Sequence, residues 1–130
     1  MTNPIYSTEQ TAKNPFSNFD SNTGIFELKG KSIPENSLAF YKPIFEWIDS
    51  YCQKPLPKTV LNVRLDYFNT SSSKCIIDLF RKIEAIAKEG KGEAVINWYY
   101  DSEDDDMQEA GEDYQSLIKS TFNLIPNTKS

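Results

Sequence analysis

The sequence predicts a single α/β domain: a four-stranded mixed sheet with helices packed on it, in the order β-β-α-β-α-β-α. Three observations carry the prediction. Leu61, Val63, Leu65 and Tyr67 fall on one face of a period-two run, with Asn62 and Arg64 on the other. Directly after it, Ile76, Leu79, Phe80, Ile83, Ile86 and Ala87 recur at helical spacing. Ala94–Tyr99 then forms a run that is apolar on nearly both faces, the pattern of an interior strand. Strands alternating with helices favour parallel neighbours joined by right-handed crossovers. A chain of 130 residues is long enough for one domain with its own core, and no repeat or linker divides it.

Residues 1–13 are polar and are expected to form an N-terminal arm, either flexible or paired as a short edge strand. Pro15–Phe19 and Ile25–Gly30 read as a hairpin around the turn formers Asp20-Ser21-Asn22-Thr23-Gly24. Ser32-Ile33-Pro34-Glu35-Asn36-Ser37 marks a helix start, with Asn or Ser available as cap. The expected apolar stripe of that helix is Leu38, Tyr41, Phe45, Ile48 and Cys52, flanked by Trp47 and Tyr51. Pro43 inside the pattern predicts a kink near residues 39–42, and Pro55 and Pro57 end the helix in an extended linker. After the central strand and helix, Gly90 is the expected helix C-cap residue. Beyond Tyr99 an acidic run, Asp101–Asp106, feeds a last helix across Met107–Lys119, with Phe122, Leu124 and Ile125 docking its end. The domain is expected to span residues 14–126, leaving 127–130 as a tail.

Composition excludes several function classes. A net charge of −5 argues against a nucleic-acid surface, which needs clustered Lys and Arg. No apolar run approaches the roughly 20 residues that span a bilayer, and Met1-Thr2-Asn3-Pro4 lacks the features of a secretory signal, so a cytoplasmic protein without membrane contact is expected. Cys52 and Cys75 have no CxxC spacing and read as two small buried side chains rather than a disulfide. The chain has no His, which removes the usual imidazole base and zinc ligand. There is no GxxxxGK[ST] motif, and Gly90-Lys91-Gly92 precedes a strand rather than a helix. The chain is therefore expected to be non-enzymatic, with no cofactor and no metal.

The candidate chemistry gathers where the central strand hands over to its helix, at Asn69-Thr70-Ser71-Ser72-Ser73-Lys74. One of these side chains is needed as an N-cap, worth about 1 kcal/mol. The remaining hydroxyls are surplus to that need. Free N–H groups and the positive helix end favour added phosphate there, and Lys74 sits one turn in. The acidic run admits a rival reading as a metal-binding or catalytic domain, because hard cations take oxygen ligands. Its spacing does not fit an EF-hand, whose loop needs Gly at the sixth position, where Asp106 stands here. A solvated loop feeding a helix N-terminus fits better. Glu35 and Asn36 read either as first-turn residues or as part of a contact patch. Trp47, Tyr51, Trp98, Tyr99 and Tyr100 read as core, any exposed member being an interface anchor.

Three motifs together resemble the SiaC family of regulatory phosphoproteins, formerly a bacterial domain of unknown function. They are Ser32-Ile33-Pro34-Glu35-Asn36-Ser37, Tyr67-Phe68-Asn69-Thr70-Ser71-Ser72-Ser73-Lys74, and Trp98-Tyr99-Tyr100-Asp101 followed by Glu103-Asp104-Asp105-Asp106-Met107. They arrive in the family's order and span the chain from about Phe16 to Phe122. The resemblance implies a fold similar to anti-sigma-factor antagonist (STAS-like) domains and a non-enzymatic switch. In that family a dedicated protein kinase phosphorylates a threonine of the Asn-Thr-Ser-Ser motif, and a PP2C-type phosphatase removes the phosphate. By the same resemblance, the unphosphorylated form is expected to bind and activate a diguanylate cyclase, which raises cyclic di-GMP. The matching threonine is Thr70, with Ser71 and Ser72 as alternative acceptors and Asn69, Ser73 and Lys74 completing the site. Glu35, Asn36, Tyr67, Asp104 and Asp105 are the expected partner-binding residues. A plainer alternative is a STAS-like scaffold in which Thr70 only caps a helix.

Overall fold

The computed structural model describes residues 4–127. Its elements are β1 (Ile5–Thr8), β2 (Phe16–Asp20), β3 (Ile25–Ser32), α1 (Ser37–Tyr51), β4 (Lys58–Phe68), α2 (Thr70–Lys88), β5 (Glu93–Asp101), α3 (Asp105–Leu117) and β6 (Thr121–Asn127). The α/β class, mixed sheet and three helices are as the sequence predicts, but the sheet has six strands rather than four. Both additions are edge strands. β1 lies within the expected arm, and β6 takes up Phe122, Leu124 and Ile125, which were expected to dock on the last helix. Residues 1–3 of the arm and 128–130 of the tail lie outside the described residues.

The strands lie in chain order, β1-β2-β3-β4-β5-β6. The first three pair antiparallel and β3 to β6 pair parallel. Each parallel step carries one helix, and three right-handed crossovers in one direction place all the helices on one face. The register shows the consequence. Tyr6, Phe19, Phe26, Leu61, Ile96 and Phe122 form one row across the sheet on the helix side. The adjacent row, Ser7, Asn18, Glu27, Asn62, Asn97 and Asn123, faces the other way. Parallel strands usually have both faces covered; here the open face carries this polar row across its middle, with Ile25, Val60 and Val95 on one side of it and Tyr99 and Ile125 on the other. Asn97 donates to Asn62 at 2.9 Å and Asn123 donates to Asn97 at 3.0 Å.

Two aromatic groups fill the covered face. Phe19, Phe26, Trp47 and Tyr51 pack under α1, and Phe80, Trp98, Tyr114 and Phe122 pack under α2 and α3. The buried stripe of α1 is Tyr41, Ile44, Trp47, Ile48 and Tyr51. The expected members Phe45 and Cys52 are only half-buried, and Leu38 points to water. An aromatic-rich helix offers two apolar faces, and the sheet selects the one bearing Trp47 and Tyr51. α1 runs unbroken from Ser37 to Tyr51 through Pro43. α2 ends in a Schellman motif: Gly90 has φ 71°, its N–H donates to Ala87, and the Lys91 N–H donates to Ile86. Cys52 and Cys75 are both free, and burial pushes the Cys52 thiol up to about 11. No helix among the described residues is long and apolar enough to cross a membrane.

α3 approaches β5 through a glycine. A Cβ on Gly111 would stand 2.5 Å from Trp98 Cδ1 and 2.8 Å from Leu124 Cδ2. Trp98 is itself fixed by a 3.0 Å hydrogen bond from its indole N–H to the Met107 carbonyl. Gly111→Ala should therefore lower stability, because overpacking costs about 1–3 kcal/mol and outweighs the ~1 kcal/mol of helix propensity gained. Urea unfolding checks this, and a raised midpoint would refute the close approach.

Candidate functional site

The carboxyl ends of β3, β4 and β5 and the N-termini of α1, α2 and α3 meet at one edge of the sheet. Asn36, Asn69 and Asp104 cap the three helices there, accepting from the N–H groups of Ala39, Ser72 and Met107 at 3.1, 2.9 and 3.1 Å. Three positive helix ends therefore face one edge.

Beneath this edge runs a chain of hydroxyls. Tyr41 and Ser32 are 2.6 Å apart, Ser32 donates to Ser72 at 2.9 Å, and Ser72 lies 3.3 Å from Ser37. Ser37 continues the chain to Ser71 at 2.7 Å, and Ser71 donates to Asn69 Oδ1 at 3.1 Å. The chain ties the end of β3 to the first turns of α1 and α2. Burial pushes the Tyr41 hydroxyl well above the ordinary tyrosine range, so it stays protonated and can donate.

Within the predicted site, each residue now has a distinct position. Asn69 is the cap, so Thr70 is the first residue inside the helix and not its cap. Ser72 is fully buried, and Ser73 donates to the Thr70 carbonyl at 2.7 Å. Thr70 is exposed, and no partner among the described residues takes its hydroxyl. Lys74 is exposed one turn on, on the same helical face. Of the four hydroxyls in 70–73, only that of Thr70 is free.

Tyr67 departs from the sequence expectation. Gly30 pairs with Leu65 but Lys31 pairs with Tyr67, so Asp66 is an extra residue, a β-bulge. The bulge reverses the alternation after Leu65. Tyr67 turns out to water at 57% exposure, and Phe68 turns inward against Trp98. Glu35 is exposed on the arm side, paired with Lys13 at 2.9 Å, which holds its carboxyl below the usual range. Asp105 is exposed on the opposite flank. A surface cleft of about 540 Å³ lies between β4 and the acidic loop, with Lys31, Arg64, Asp66, Tyr99, Asp101 and Asp104 among its walls.

The acidic run organises its own loop. Asp101 accepts from the Glu103 N–H at 2.9 Å, and Asp104 caps α3. Among the described residues no three His, Cys, Asp or Glu side chains converge as a metal-ligand set. The sequence reading places Ser32 and Ser37 in the helix-entry motif and Tyr41 in the apolar stripe of the first helix, and does not bring them to the Thr70 site.

Comparison with known proteins gives a consistent result. The family model described as "SiaC family regulatory phosphoprotein" matches residues 8–127. An uncharacterised protein of Pseudomonas aeruginosa strain UCBPP-PA14 is 30% identical over 115 residues, covering 86% of this chain and 88% of that one. Among solved structures, SiaC of Pseudomonas aeruginosa superposes with a TM-score of 0.83 at 23% identity, covering 96% of this chain and 98% of that one. A second match comes from the crystal structure of the diguanylate cyclase SiaD in complex with its activator SiaC, also from Pseudomonas aeruginosa. It has a TM-score of 0.88 at 24% identity, covering 94% of this chain and 99% of the matched one.

The division of labour between Asn69 and Thr70 is measurable. Asn69→Ala should lower stability by about 1 kcal/mol, the usual cost of a lost N-cap. Thr70→Ala should stay within about 0.5 kcal/mol, as for a surface position. Equal losses in chemical denaturation would mean that Thr70 shares the capping role.

Proposed function

The chain belongs to the SiaC family of regulatory phosphoproteins, and on that premise we propose that it is a non-enzymatic switch gated by phosphorylation of Thr70. In this reading a protein kinase adds the phosphate and a PP2C-type phosphatase removes it. The unphosphorylated chain binds and activates a diguanylate cyclase; what supports a cyclase as the partner is the solved complex of the Pseudomonas diguanylate cyclase SiaD with its activator SiaC.

One observation carries the choice of residue. A kinase needs a hydroxyl that is exposed and not already bonded, and Thr70 alone in the run offers one. Modifying Ser72 would require pulling a fully buried hydroxyl out of the core, and Ser71 would have to leave both Ser37 and Asn69.

The site also suits the product. A phosphate at Thr70 meets the unsatisfied N–H groups of the first turn of α2 and the positive end of its dipole. Lys74, four residues on, is placed for a charge-assisted contact. The added charge of about −1.5 to −2 leaves the Asn69 cap intact, so the fold persists in both states. What changes is the surface. A partner that packs on this edge must strip water from a phosphate, which is strongly unfavourable without compensating charge.

The test begins with peptide mass spectrometry on protein from its native cells, where phosphate is expected on Thr70. Titration against purified diguanylate cyclases of the same organism follows. The unmodified protein and Thr70→Ala should bind and raise cyclic di-GMP synthesis, while the phosphorylated protein and Thr70→Glu should bind at least tenfold more weakly. Equal affinity of all four forms would overturn the gate.

A further inference from the structure

Among the described residues five large apolar side chains are exposed: Leu38 at 71%, Tyr67 at 57%, Leu117 at 50%, Ile25 at 47% and Ile5 at 41%. The two most exposed lie at the edge that carries Thr70. Leu38 follows Ser37, whose hydroxyl touches that of Ser71 at 2.7 Å, so it flanks the start of α2 from the α1 side. Tyr67 precedes Thr70 by three residues and flanks it from β4. The other three lie toward the opposite edge. Ile25 opens β3, Ile5 pairs with Asp20, which in turn pairs with Ile25, and Leu117 closes α3.

Neither exposure is needed by the fold. Position two of a helix takes a polar residue as readily as Leu38. Tyr67 faces water only because the Asp66 bulge interrupts the ladder, and bulges commonly re-aim a side chain next to a functional site. Large apolar and aromatic side chains are the usual anchors of protein interfaces. Around the two anchors the edge is net acidic: Glu35, Asp66, Asp101, Glu103, Asp104, Asp105 and Asp106 outnumber Lys13, Lys31, Arg64 and Lys74, and Lys13 is already paired to Glu35.

Resting on the reading above, we infer that Leu38 and Tyr67 are the paired anchors of the partner interface, flanking Thr70. The occupant that fits is a protein surface with an apolar socket for these two side chains, rimmed by Lys and Arg that answer the carboxylates. This chemistry fixes how the gate acts. A phosphate facing a basic rim is attracted at long range, so charge repulsion is not what breaks the complex. The phosphate acts at short range, by holding a hydrated group between two side chains that must be desolvated together.

The test is an affinity titration of unphosphorylated protein against the cyclase that binds it, at low and high salt. Leu38→Ala and Tyr67→Ala should each weaken binding at least tenfold, Ile25→Ala at the far edge less than twofold, and all three should melt cooperatively like the parent. Binding of the parent should weaken as salt rises, and salt should not restore binding of the phosphorylated form. If both anchor variants bind like the parent while Thr70→Glu does not, the anchors are wrong and the phosphorylation gate stands. Salt-restored binding of the phosphorylated form would overturn the short-range mechanism. If no cyclase binds any form, the functional reading itself falls, and this inference with it.

Discussion

The direction in which the chain crosses its sheet is the constraint on which the rest depends. From β3 to β6 every step goes to the next neighbour and every pairing is parallel. Right-handed crossovers taken three times the same way leave the helices one face to occupy. They also bring all three helix N-termini to the edge where the strands end. Had one crossover reversed direction, its helix would cover the opposite face. Because none does, the other face stays open, and the Asn62–Asn97–Asn123 ladder runs across it between the rows Ile25–Val60–Val95 and Lys29–Arg64–Tyr99–Ile125. The edge, in turn, gathers three capped helix starts, and carboxylates from Asp66 and the acidic loop surround them.

The buried hydroxyl chain is possible only in that setting. Ser32 and Ser72 are separated by 40 positions in sequence, yet they meet because β3 and β4 are adjacent and their helices start side by side. A buried hydroxyl left alone would cost about 1–3 kcal/mol. Here each member has a neighbour, so the chain fixes the relative positions of β3, α1 and α2. Thr70 stands directly above this fixed base and takes no part in it. Its orientation is thus set by neighbours whose own bonds do not involve its hydroxyl.

Much of this was legible in the residues, and the failures have identifiable causes. Leu61, Val63 and Leu65 mark the central strand correctly, and the helical spacing from Ile76 to Ile86 marks α2. Extending the same period to Tyr67 failed because one inserted residue, Asp66, flips every later side chain. Periodicity cannot show an insertion whose partner is Gly30 on another strand. β6 was missed because Asn123, Pro126 and Asn127 are poor strand formers, and an edge strand tolerates proline where an interior one does not. At the site, the strand-to-helix handover could be read locally. Which hydroxyl is free could not, because it depends on Ser32, Ser37 and Tyr41, brought there by the fold.

That last point bears on why one threonine in a run of hydroxyls would suit the proposed switch. A residue that both capped the helix and received the phosphate would couple the signal to helix stability, and each modification would disturb the fold. Here the cap belongs to Asn69, the packing to Ser72 and the tether to Ser71. Thr70 carries none of these roles, so a charge placed on it is felt mainly outside the molecule. A modification that leaves the fold unchanged can be read only by a surface that packs against it. The apolar exposure of Leu38 and Tyr67 supplies the other half of that condition, since a phosphate matters most where neighbouring surface has to be dried.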